Sequence, residues 1–324
     1  MSTRPLAWVL NLDAENELEA GPGYTPARHI QRIVARERKH LFGTLVAPGD
    51  VVVEAGSTGG EESARARGLP GLAWSPTPRA RALLARAGAI PVAGPTLETL
   101  RTVNGRPFAL EVRATLREDG FDKHLARNLE QALALLAQPA REGWLVRRTF
   151  GAAGRGRRRI ASGRPSSTEL AWLVKGLRKG ALIIEPWVTI TQEFTRSGWV
   201  ARDGHVSSAA PCFQATTREG AWRRTECAER GAITRAEDAR LEGAFFAAGR
   251  ALAGAGYFGP FGIDSFRHRC GGPGSAELLN PLGEINPRFT MDWVAGMSAD
   301  QGRKAIRAWW DPSGRYDSGG AVRA

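Results

Sequence analysis

Four residues in the carboxyl-terminal part of the chain have the types and spacing of a metal–phosphate site. Glu284 and Asn286 are two positions apart, so on an extended strand their side chains point to the same face. Asp264 adds a third hard oxygen ligand, and Arg288 adds a planar cation that can grip a phosphate or carboxylate. Such oxygen ligands suit Mg²⁺ that carries nucleotide phosphates. The alternative is a β-hairpin that ends in polar residues, but the four residues together favour the metal–phosphate site.

The second chemical feature is a glycine-rich basic loop that contains Gly151, Gly154 and Gly156. Gly151 and Gly156 have Walker A spacing, but arginines stand where that loop needs Lys and Ser or Thr, and GxGxxG is absent as well. The loop lies between two apolar or β-favouring stretches, which predicts a hairpin flap. Its glycines let backbone N–H groups approach phosphates closely, and Arg147 on the first strand supplies charge.

The helices and strands that must position these groups are predicted from the spacing of apolar residues and from helix-capping residues. Residues 5–100 alternate strands with helices, which predicts a small parallel α/β domain. Thr77 is an N-cap with Pro at the first helical position. Three later helices begin at capping boxes: Asn128 with Gln131, Ser166 with Glu169, and Thr234 with Glu237. The predicted strands are 6–12, 50–54, 89–92, 144–149, 158–161, 182–188, 194–200 and 261–266, and the predicted helices are 78–88, 129–137, 168–177 and 235–254.

Composition sets the class of protein. A chain of 324 residues with 42% hydrophobic residues can bury one large core or two smaller ones. The formal charge of +12 comes almost entirely from arginine, which suits acidic partners or reflects an arginine-rich genome. No stretch has the length of a membrane span or a signal peptide, and the three cysteines form no CxxC pair. We therefore expect a cytoplasmic protein with reduced thiols, and no serine–histidine or cysteine–histidine arrangement supports a hydrolase.

In this order along the chain, the segments resemble the ATP-grasp superfamily. The family's strand ending in Val-Lys-Pro is similar to Val146-Arg147-Arg148. Its glycine flap is similar to the loop 151–156. Its adenine-holding hinge, Glu-x-x-Val, resembles the segment from Glu185 to Val188. An acid eight positions on usually takes the ribose hydroxyls, and Glu193 has that spacing. The family's metal ligands match three residues already introduced: Asp264, Glu284 and Asn286.

The resemblance covers about residues 100–310 and implies an architecture. The fold class is α/β, with α+β character in the catalytic part. Residues 1–103 would form a small parallel pre-ATP-grasp domain, followed by an ATP-grasp domain over 104–324. That second domain would contain a glycine-flap lid subdomain at about 140–184 and an antiparallel-sheet subdomain. The tail from about 311, rich in Gly and Ser, is expected to be loosely ordered.

The resemblance also implies roles for individual residues. Glu185, Trp187 and Val188 would bind adenine, and Arg147 would hold phosphates in place of the family's lysine. The second phosphate cation is Arg106, or alternatively Lys123. Arg288 would be the catalytic cation at the γ-phosphate or the acceptor. Weaker candidates for gripping the acceptor are two arginines in a predicted loop over 216–229: Arg223 and Arg224.

The implied activity is an ATP-dependent carboxylate–amine or carboxylate–thiol ligase that uses ATP and Mg²⁺ or Mn²⁺. A small-molecule carboxylate would be activated as an acylphosphate and attacked by an amine or another nucleophile. Two alternatives stay open. The chain could bind nucleotide without ligase activity, because arginines replace the family's lysines, or bind nucleic acid through the basic flap. The expected partner is a small carboxylate, with no membrane and a homodimer as the default assembly.

Overall fold

Three β-sheets form the framework of the protein, and the candidate residues converge where the sheets meet. The structure is a computed structural model. It describes residues 4–55, 60–116, 123–151, 154–217, 222–228, 231–270, 274–291, 293–297 and 299–310. One sheet has four parallel strands, one has four antiparallel strands, and the largest has six antiparallel strands.

The amino-terminal sheet is parallel, as the alternation of strands and helices predicts. Its strands are β1 (Ala7–Val9), β2 (Val51–Val52), β3 (Pro70–Ala73) and β4 (Ile90–Pro91), and its helices are α1 (Ala14–Ala20), α2 (Arg28–Glu37), α3 (Glu61–Ala66) and α4 (Pro78–Arg86). The strand order is β2-β1-β3-β4, so the chain leaves β1 to one side for β2 and returns on the other side for β3. Ligands of open α/β sheets bind at such a switch point, outside the carboxyl ends of the strands. Strand β1 is shorter than predicted because the turn into α1 starts at Asn11, whose carbonyl accepts from Ala14 N.

The second sheet carries the glycine flap. Its strands are β5 (His124–Ala126), β6 (Trp144–Arg148), β7 (Arg157–Ile160) and β8 (Leu182–Pro186), and the helices of this region are α5 (Leu97–Asn104), α6 (Arg106–Thr115), α7 (Leu129–Leu136) and α8 (Ser167–Leu177). β6 and β7 pair as an antiparallel hairpin around the glycine loop, which confirms the predicted flap. The capping box of Ser166 and Glu169 is complete. At α7 only half forms, because Gln131 bonds to the backbone of Arg127 instead.

The large sheet has the order β12-β11-β9-β13-β14, with β10 also paired to β9. Its strands are β9 (Thr189–Val200), β10 (Val206–Ser208), β11 (Cys212–Thr216), β12 (Trp222–Cys227), β13 (Gly259–Arg269) and β14 (Glu277–Asn286), and its helices are α9 (Arg235–Gly254), α10 (Trp293–Gly296) and α11 (Ala299–Trp310). The predicted loop over 216–229 is wrong, because β12 forms there by pairing with β11. The tail from 311, which we expect to be loosely ordered, lies outside the described residues.

An aromatic cluster joins the parallel sheet to the large sheet. The ring of Trp8 on β1 lies 5.5 Å from that of Phe289, and the rings of Trp199 and Trp309 are 5.2 Å apart. The backbone N–H of Phe289 donates to the carbonyl of Trp74, which follows β3, at 3.2 Å. Burying one aromatic side chain of this size contributes about 2–3 kcal/mol to the stability of the folded protein. The cluster therefore fixes the carboxyl ends of β1 and β3 beside the end of β14, where the candidate site lies.

Candidate functional site

A cavity of about 1240 Å³ lies between the flap, the large sheet and the parallel sheet. Most of the residues that the sequence singles out line it, although they come from distant parts of the chain. Those that contribute to its wall are Arg106, Arg147, Gly151, Gly154, Glu185, Trp187, Val188, Glu193, Asp264, Glu284, Asn286 and Arg288. The sequence-predicted site is thus brought together in one place.

Two arginines hold Glu284 from the flap side. Arg147 on β6 donates from Nη2 to Glu284 Oε2 at 2.6 Å, and Arg106 at the start of α6 lies 3.0 Å from the other carboxylate oxygen. Arg106 also donates to the carbonyls of Arg148 and Gly151, which fastens it to the flap. Burial acts to raise the pKa of Glu284, but the charges of Arg106 and Arg147 outweigh it and lower that pKa to about 2. Glu284 is therefore a carboxylate at neutral pH.

Lys123 and Glu185 form a second ion pair next to the first. Lys123 Nζ lies 3.3 Å from Glu185 Oε2 and donates to the carbonyl of Gly283 at 2.9 Å. Arg147 Nη1 reaches the other oxygen of Glu185 at 3.4 Å. Burial lowers the pKa of Lys123 to about 8, even though Glu185 opposes this. Both cations that the sequence leaves open for the second phosphate position, Arg106 and Lys123, therefore lie at the same charge cluster.

The guanidinium groups of this cluster keep capacity for an anion. Within the described part of the chain, the buried Nε atoms of Arg106 and Arg147 have no hydrogen-bond acceptor. A buried donor without an acceptor costs about 1–3 kcal/mol, and a phosphate oxygen would relieve that cost. Arg106 and Arg147 both line the cavity, so their positive charges can attract an anionic ligand.

The metal candidates face one another across two strands. Asp264 on β13 and Glu284 on β14 are register partners, and Asn286 is two residues along the same face. Asn286 Nδ2 donates to Asp264 Oδ2 at 3.0 Å, so its amide oxygen stays available as a further hard ligand. Within the described residues no group of three His, Cys, Asp or Glu side chains is placed to hold a metal, and this site offers two carboxylates with one amide. Two carboxylates and an amide oxygen fit the donor preference of Mg²⁺ or Mn²⁺.

The hinge predicted for adenine and ribose forms another wall of the cavity. Trp187 and Val188 line it immediately after β8, and Arg159 lies over the Trp187 ring at 4.7 Å. Glu193 on β9 accepts a hydrogen bond from Thr216 Oγ1 at 2.5 Å. Glu185 is expected to bind adenine. Its carboxylate is instead buried and engaged with cations.

Arg288 enters the cavity from the end of β14 and is held by the amino-terminal part of the chain. Its Nε donates to Glu15 Oε1 at 2.5 Å, and Nη1 donates to the carbonyl of Phe289 at 3.3 Å. The guanidinium lies 5.9 Å from the centre of the Trp74 ring. Arg288 therefore connects the carboxyl ends of the parallel strands to the metal candidates.

Three predicted site residues are not part of the wall formed by the described residues. Arg223 and Arg224 lie on β12 and are exposed, and Arg224 pairs with Glu226 at 3.1 Å. Both side chains lie outside the described wall of the cavity, and their role as acceptor ligands stays a prediction. Gly156 is set back from the wall and shapes the flap through its positive φ of 72°.

Sequence reasoning missed Glu15, Trp74 and Arg157, which contribute to the site or to its wall. Arg157 lines the cavity from β7, and the run of arginines after the flap glycines was the signal for it. Glu15 and Trp74 each follow a strand of the parallel sheet. Their position after these strands was a usable signal, because ligand sites lie at the carboxyl ends of parallel strands.

Solved structures with the same arrangement of sheets identify the fold. Biotin carboxylase from Campylobacter jejuni, solved as a β,γ-ATP complex, matches 79% of this chain and 55% of its own length, at 13% identity and a TM-score of 0.54. N5-carboxyaminoimidazole synthetase from Staphylococcus aureus, complexed with ADP, matches 94% of this chain and 77% of its own length, at 12% identity and a TM-score of 0.52. This chain has the ATP-grasp fold. The ribonucleotide synthetase from Thermus thermophilus matches the same shares at 17% identity and a TM-score of 0.52.

This similarity confirms the fold class drawn from the sequence. The chain spans about half the length of the biotin carboxylase that it matches. No protein-family model matches the sequence, and a search of curated proteins found no match. At identities of 12–17% the similarity concerns the fold. In the described parts of this ATP-grasp chain, no helix combines the length and apolar character needed to cross a membrane.

Proposed function

We propose that this ATP-grasp protein binds MgATP in the cavity and activates a small-molecule carboxylate as an acylphosphate. The observation that carries the proposal is the meeting of Arg106 and Arg147 with Glu284, directly opposite Asp264. Cations that bind phosphate and carboxylates that bind a divalent cation are thereby within one cluster. An amine or thiol would then attack the acylphosphate. Here residues 1–103 serve as the pre-ATP-grasp domain and 104–324 as the ATP-grasp domain.

The residues divide the work by position. Flap N–H groups and the guanidiniums of Arg106 and Arg147 hold the phosphates, while Trp187 and Val188 flank adenine and Glu193 accepts from ribose hydroxyls. Asp264, Glu284 and Asn286 would hold Mg²⁺ or Mn²⁺, which neutralises charge on the transferring phosphoryl group when bound. Arg288 orients the acceptor carboxylate towards the γ-phosphate. Catalysis of this kind rests on positioning and electrostatic stabilisation.

A second candidate is nucleotide binding without ligase chemistry. It is favoured by one specific observation: arginines stand at the positions where the family has lysine, and both already pair with Glu284. Arginine binds phosphate through a planar fork, so replacing lysine changes the geometry at the transferring group. Nucleic-acid binding has less support. Arg158 and Arg159, two members of the proposed basic patch Arg155–Arg159, lie over Trp172 and Trp187 and donate to backbone carbonyls.

The deciding experiment uses the full chain in two steps. Calorimetry with ATP, with and without Mg²⁺, first measures nucleotide binding. A panel of amino acids and carboxylic acids is then tested with MgATP and hydroxylamine, which converts an acylphosphate into a coloured hydroxamate while ADP is released. We expect hydroxamate with at least one acid. ATP binding without turnover on any acid supports the binding-only alternative, and absence of ATP binding rejects both.

A matched pair of variants tests the assignment of the site. Glu284→Gln removes the charge from the metal candidate, and Glu130→Gln makes the same chemical change on the exposed face of α7. We expect hydroxamate formation to be lost in the first variant and kept in the second. An active Glu284→Gln variant would reject the metal assignment.

A further inference from the structure

The acceptor end of the cavity lies at the switch point of the parallel sheet. Leu12 follows β1, Trp74 follows β3, and both residues line the cavity. The chain forms β2 on one side of β1 and then crosses to the other side of β1 to form β3. A crevice at this position is where open α/β sheets bind small molecules. Arg288 reaches the same place, 5.9 Å from the Trp74 ring.

Apolar side chains from α2 and from the segment after β14 also line the cavity. Helix α2 contributes Ile30, Ile33 and Val34, and Met291 lies three residues after Arg288 in the chain. The charged residues of α2 at this wall, Arg36 and Glu37, pair with each other at 2.7 Å. Their charges therefore largely cancel.

Arg288 keeps a donor for a ligand. Its Nε bonds to Glu15 and its Nη1 to the carbonyl of Phe289, whereas none of the described contacts involves Nη2. A single carboxylate can accept from that donor, whereas a second carboxylate placed against α2 would meet Ile30, Ile33 and Val34. A buried charge without a partner is strongly disfavoured.

We propose that the acceptor is a monocarboxylic acid with an apolar body, bound with its carboxylate at Arg288 and its body against α2. This inference rests on the proposed function and narrows it. Each methylene buried against this wall is expected to tighten binding about fourfold. Branched aliphatic and aryl acids should therefore bind more tightly than dicarboxylic acids of equal length.

Calorimetry on the full chain saturated with a non-hydrolysable ATP analogue and Mg²⁺ tests this. The probes are 4-methylpentanoate and 3-phenylpropanoate, each compared with succinate. We expect the apolar acids to bind at least tenfold more tightly than succinate. Equal or tighter binding of succinate overturns the inference. If the analogue binds and neither apolar acid does, the acceptor inference fails while ATP binding stands; if the analogue itself does not bind, both proposals fall.

Two variants with the same chemical change show whether a loss of binding comes from the cavity wall or from a general effect on the protein. Ile33→Asp puts a charge on α2 at the cavity, and Ile90→Asp puts one on the exposed side chain of β4. We expect the first to weaken 3-phenylpropanoate binding at least tenfold and the second to leave it unchanged. Unchanged binding in Ile33→Asp, or equal weakening in both, overturns the assignment of the wall.

A second, independent observation concerns two cysteines on the hairpin that borders the cavity. Cys212 on β11 and Cys227 on β12 are directly opposed register partners. The backbone N–H of Ala228 donates to the carbonyl of Pro211, so the adjacent pair, Cys212 and Cys227, is a non-hydrogen-bonded pair. Cα atoms of such pairs are about 4.5 Å apart, within the range that disulfides span.

Both thiols are on the face of the hairpin that α10 covers. Cys227 Sγ contacts the carbonyl of Ala295 at 3.4 Å, and a Cβ on Gly296 would lie 3.6 Å from Cys212 Sγ. Cys227 is exposed whereas Cys212 is buried. An oxidant therefore reaches Cys227 first, and Cys212 is placed as the resolving thiol.

The geometry points to a cross-strand disulfide between Cys212 and Cys227 that forms under peroxide. The Cys227 thiolate attacks one oxygen of hydrogen peroxide, which breaks the O–O bond and gives a sulfenic acid and hydroxide. The Cys212 thiolate then attacks the Cys227 sulfur, the S–O bond breaks, and hydroxide leaves. The two protons lost by the thiols convert both hydroxides to water. The disulfide would fix the spacing of β11 and β12, which contribute Thr216 and Trp222 to the cavity wall.

Peptide mass spectrometry after oxidation and alkylation tests this pairing. Full-length protein is treated with a small excess of hydrogen peroxide, alkylated, and digested without reduction. We expect one linked peptide that joins Cys212 to Cys227, with Cys270 alkylated. The Cys270→Ser variant should give the same product, and Cys227→Ser, a change at an exposed position, should give none. A linkage to Cys270, or Cys227 found only as sulfinic acid, overturns the proposal.

Discussion

Arg147 on β6 lies 2.6 Å from the Glu284 carboxylate on β14, and this ion pair joins the flap sheet to the large sheet across the cavity. The two residues are 137 positions apart in the chain. Because Arg147 also faces Glu185, it is the cation shared by both carboxylates of the cluster. A nucleotide phosphate would compete with Glu284 for Arg147, so ligand binding and the position of the flap are coupled.

The first prediction concerns this shared cation. Arg147→Ala should weaken ATP binding at least thirtyfold, because a partly buried guanidinium that contacts phosphate is removed. Arg147→Lys should stay within about fivefold of the wild type, since the positive charge remains at this position. Calorimetry measures both constants. Arg178→Ala, an exposed arginine at the end of α8, is the control and should bind ATP normally. Equal binding by Arg147→Ala would remove this residue from the site.

The second prediction concerns the role of Glu284 in charge balance. In Glu284→Gln, Arg106 and Arg147 lose their anionic partner and become available to phosphate. We therefore expect ATP binding measured in EDTA to become tighter by several fold, while turnover with Mg²⁺ falls at least a hundredfold. Weaker binding in EDTA would show that the ion pairs do not compete with the nucleotide.

The third prediction is a dependence of stability on pH. The pKa of Glu284 is lowered from 4.5 to about 2 in the folded protein, where burial is outweighed by its arginine partners. Its contribution to stability is therefore fully present above pH 4.5 and is lost as the pH falls towards 2. The contribution is at most about 3 kcal/mol. Urea unfolding of wild type and Glu284→Gln should show a stability difference at pH 7 that shrinks as the pH falls through this window; a constant difference would contradict the ion pairing.

The fourth prediction tests whether Gly156 affects ATP binding through the shape of the flap or affects only the stability of the protein. Gly156 has φ of 72°, and a Cβ there would lie 3.0 Å from the carbonyl oxygen of Phe150. Gly163, in the turn after β7, has φ of 109° with open space around it. Replacing either with Ala should cost about 1–2 kcal/mol of stability. Only Gly156→Ala should also raise the KM for ATP several fold, and the same KM change in both variants would argue against a flap role.

The residues that could be predicted from the sequence are those whose placement depends on local geometry. Glu284 and Asn286 share a face because side chains alternate along any strand, and the flap glycines lie in a hairpin because the strands on either side are adjacent in sequence. The pairing of Glu15 with Arg288 was beyond reach. It joins residues 273 positions apart, and only the packing of aromatic rings between two sheets brings them together.

Strand β12 was missed for a different physical reason. Its sequence, Trp-Arg-Arg-Thr-Glu-Cys, lacks the regular apolar alternation that marks a half-buried strand. It becomes a strand because β11 offers an unpaired edge, and the hydrogen bonds of that edge determine its conformation. Edge pairing of this kind depends on tertiary structure and leaves little trace in local sequence.

The charged residues of β12 also bear on contacts between molecules. β12 is the outermost described strand at one end of the large sheet. Exposed edges can pair with other chains and start aggregation, and long charged side chains discourage that contact. Arg223, Arg224 and Glu226 are all exposed there. We infer that these exposed arginines help to keep the protein from assembling edge to edge at high concentration.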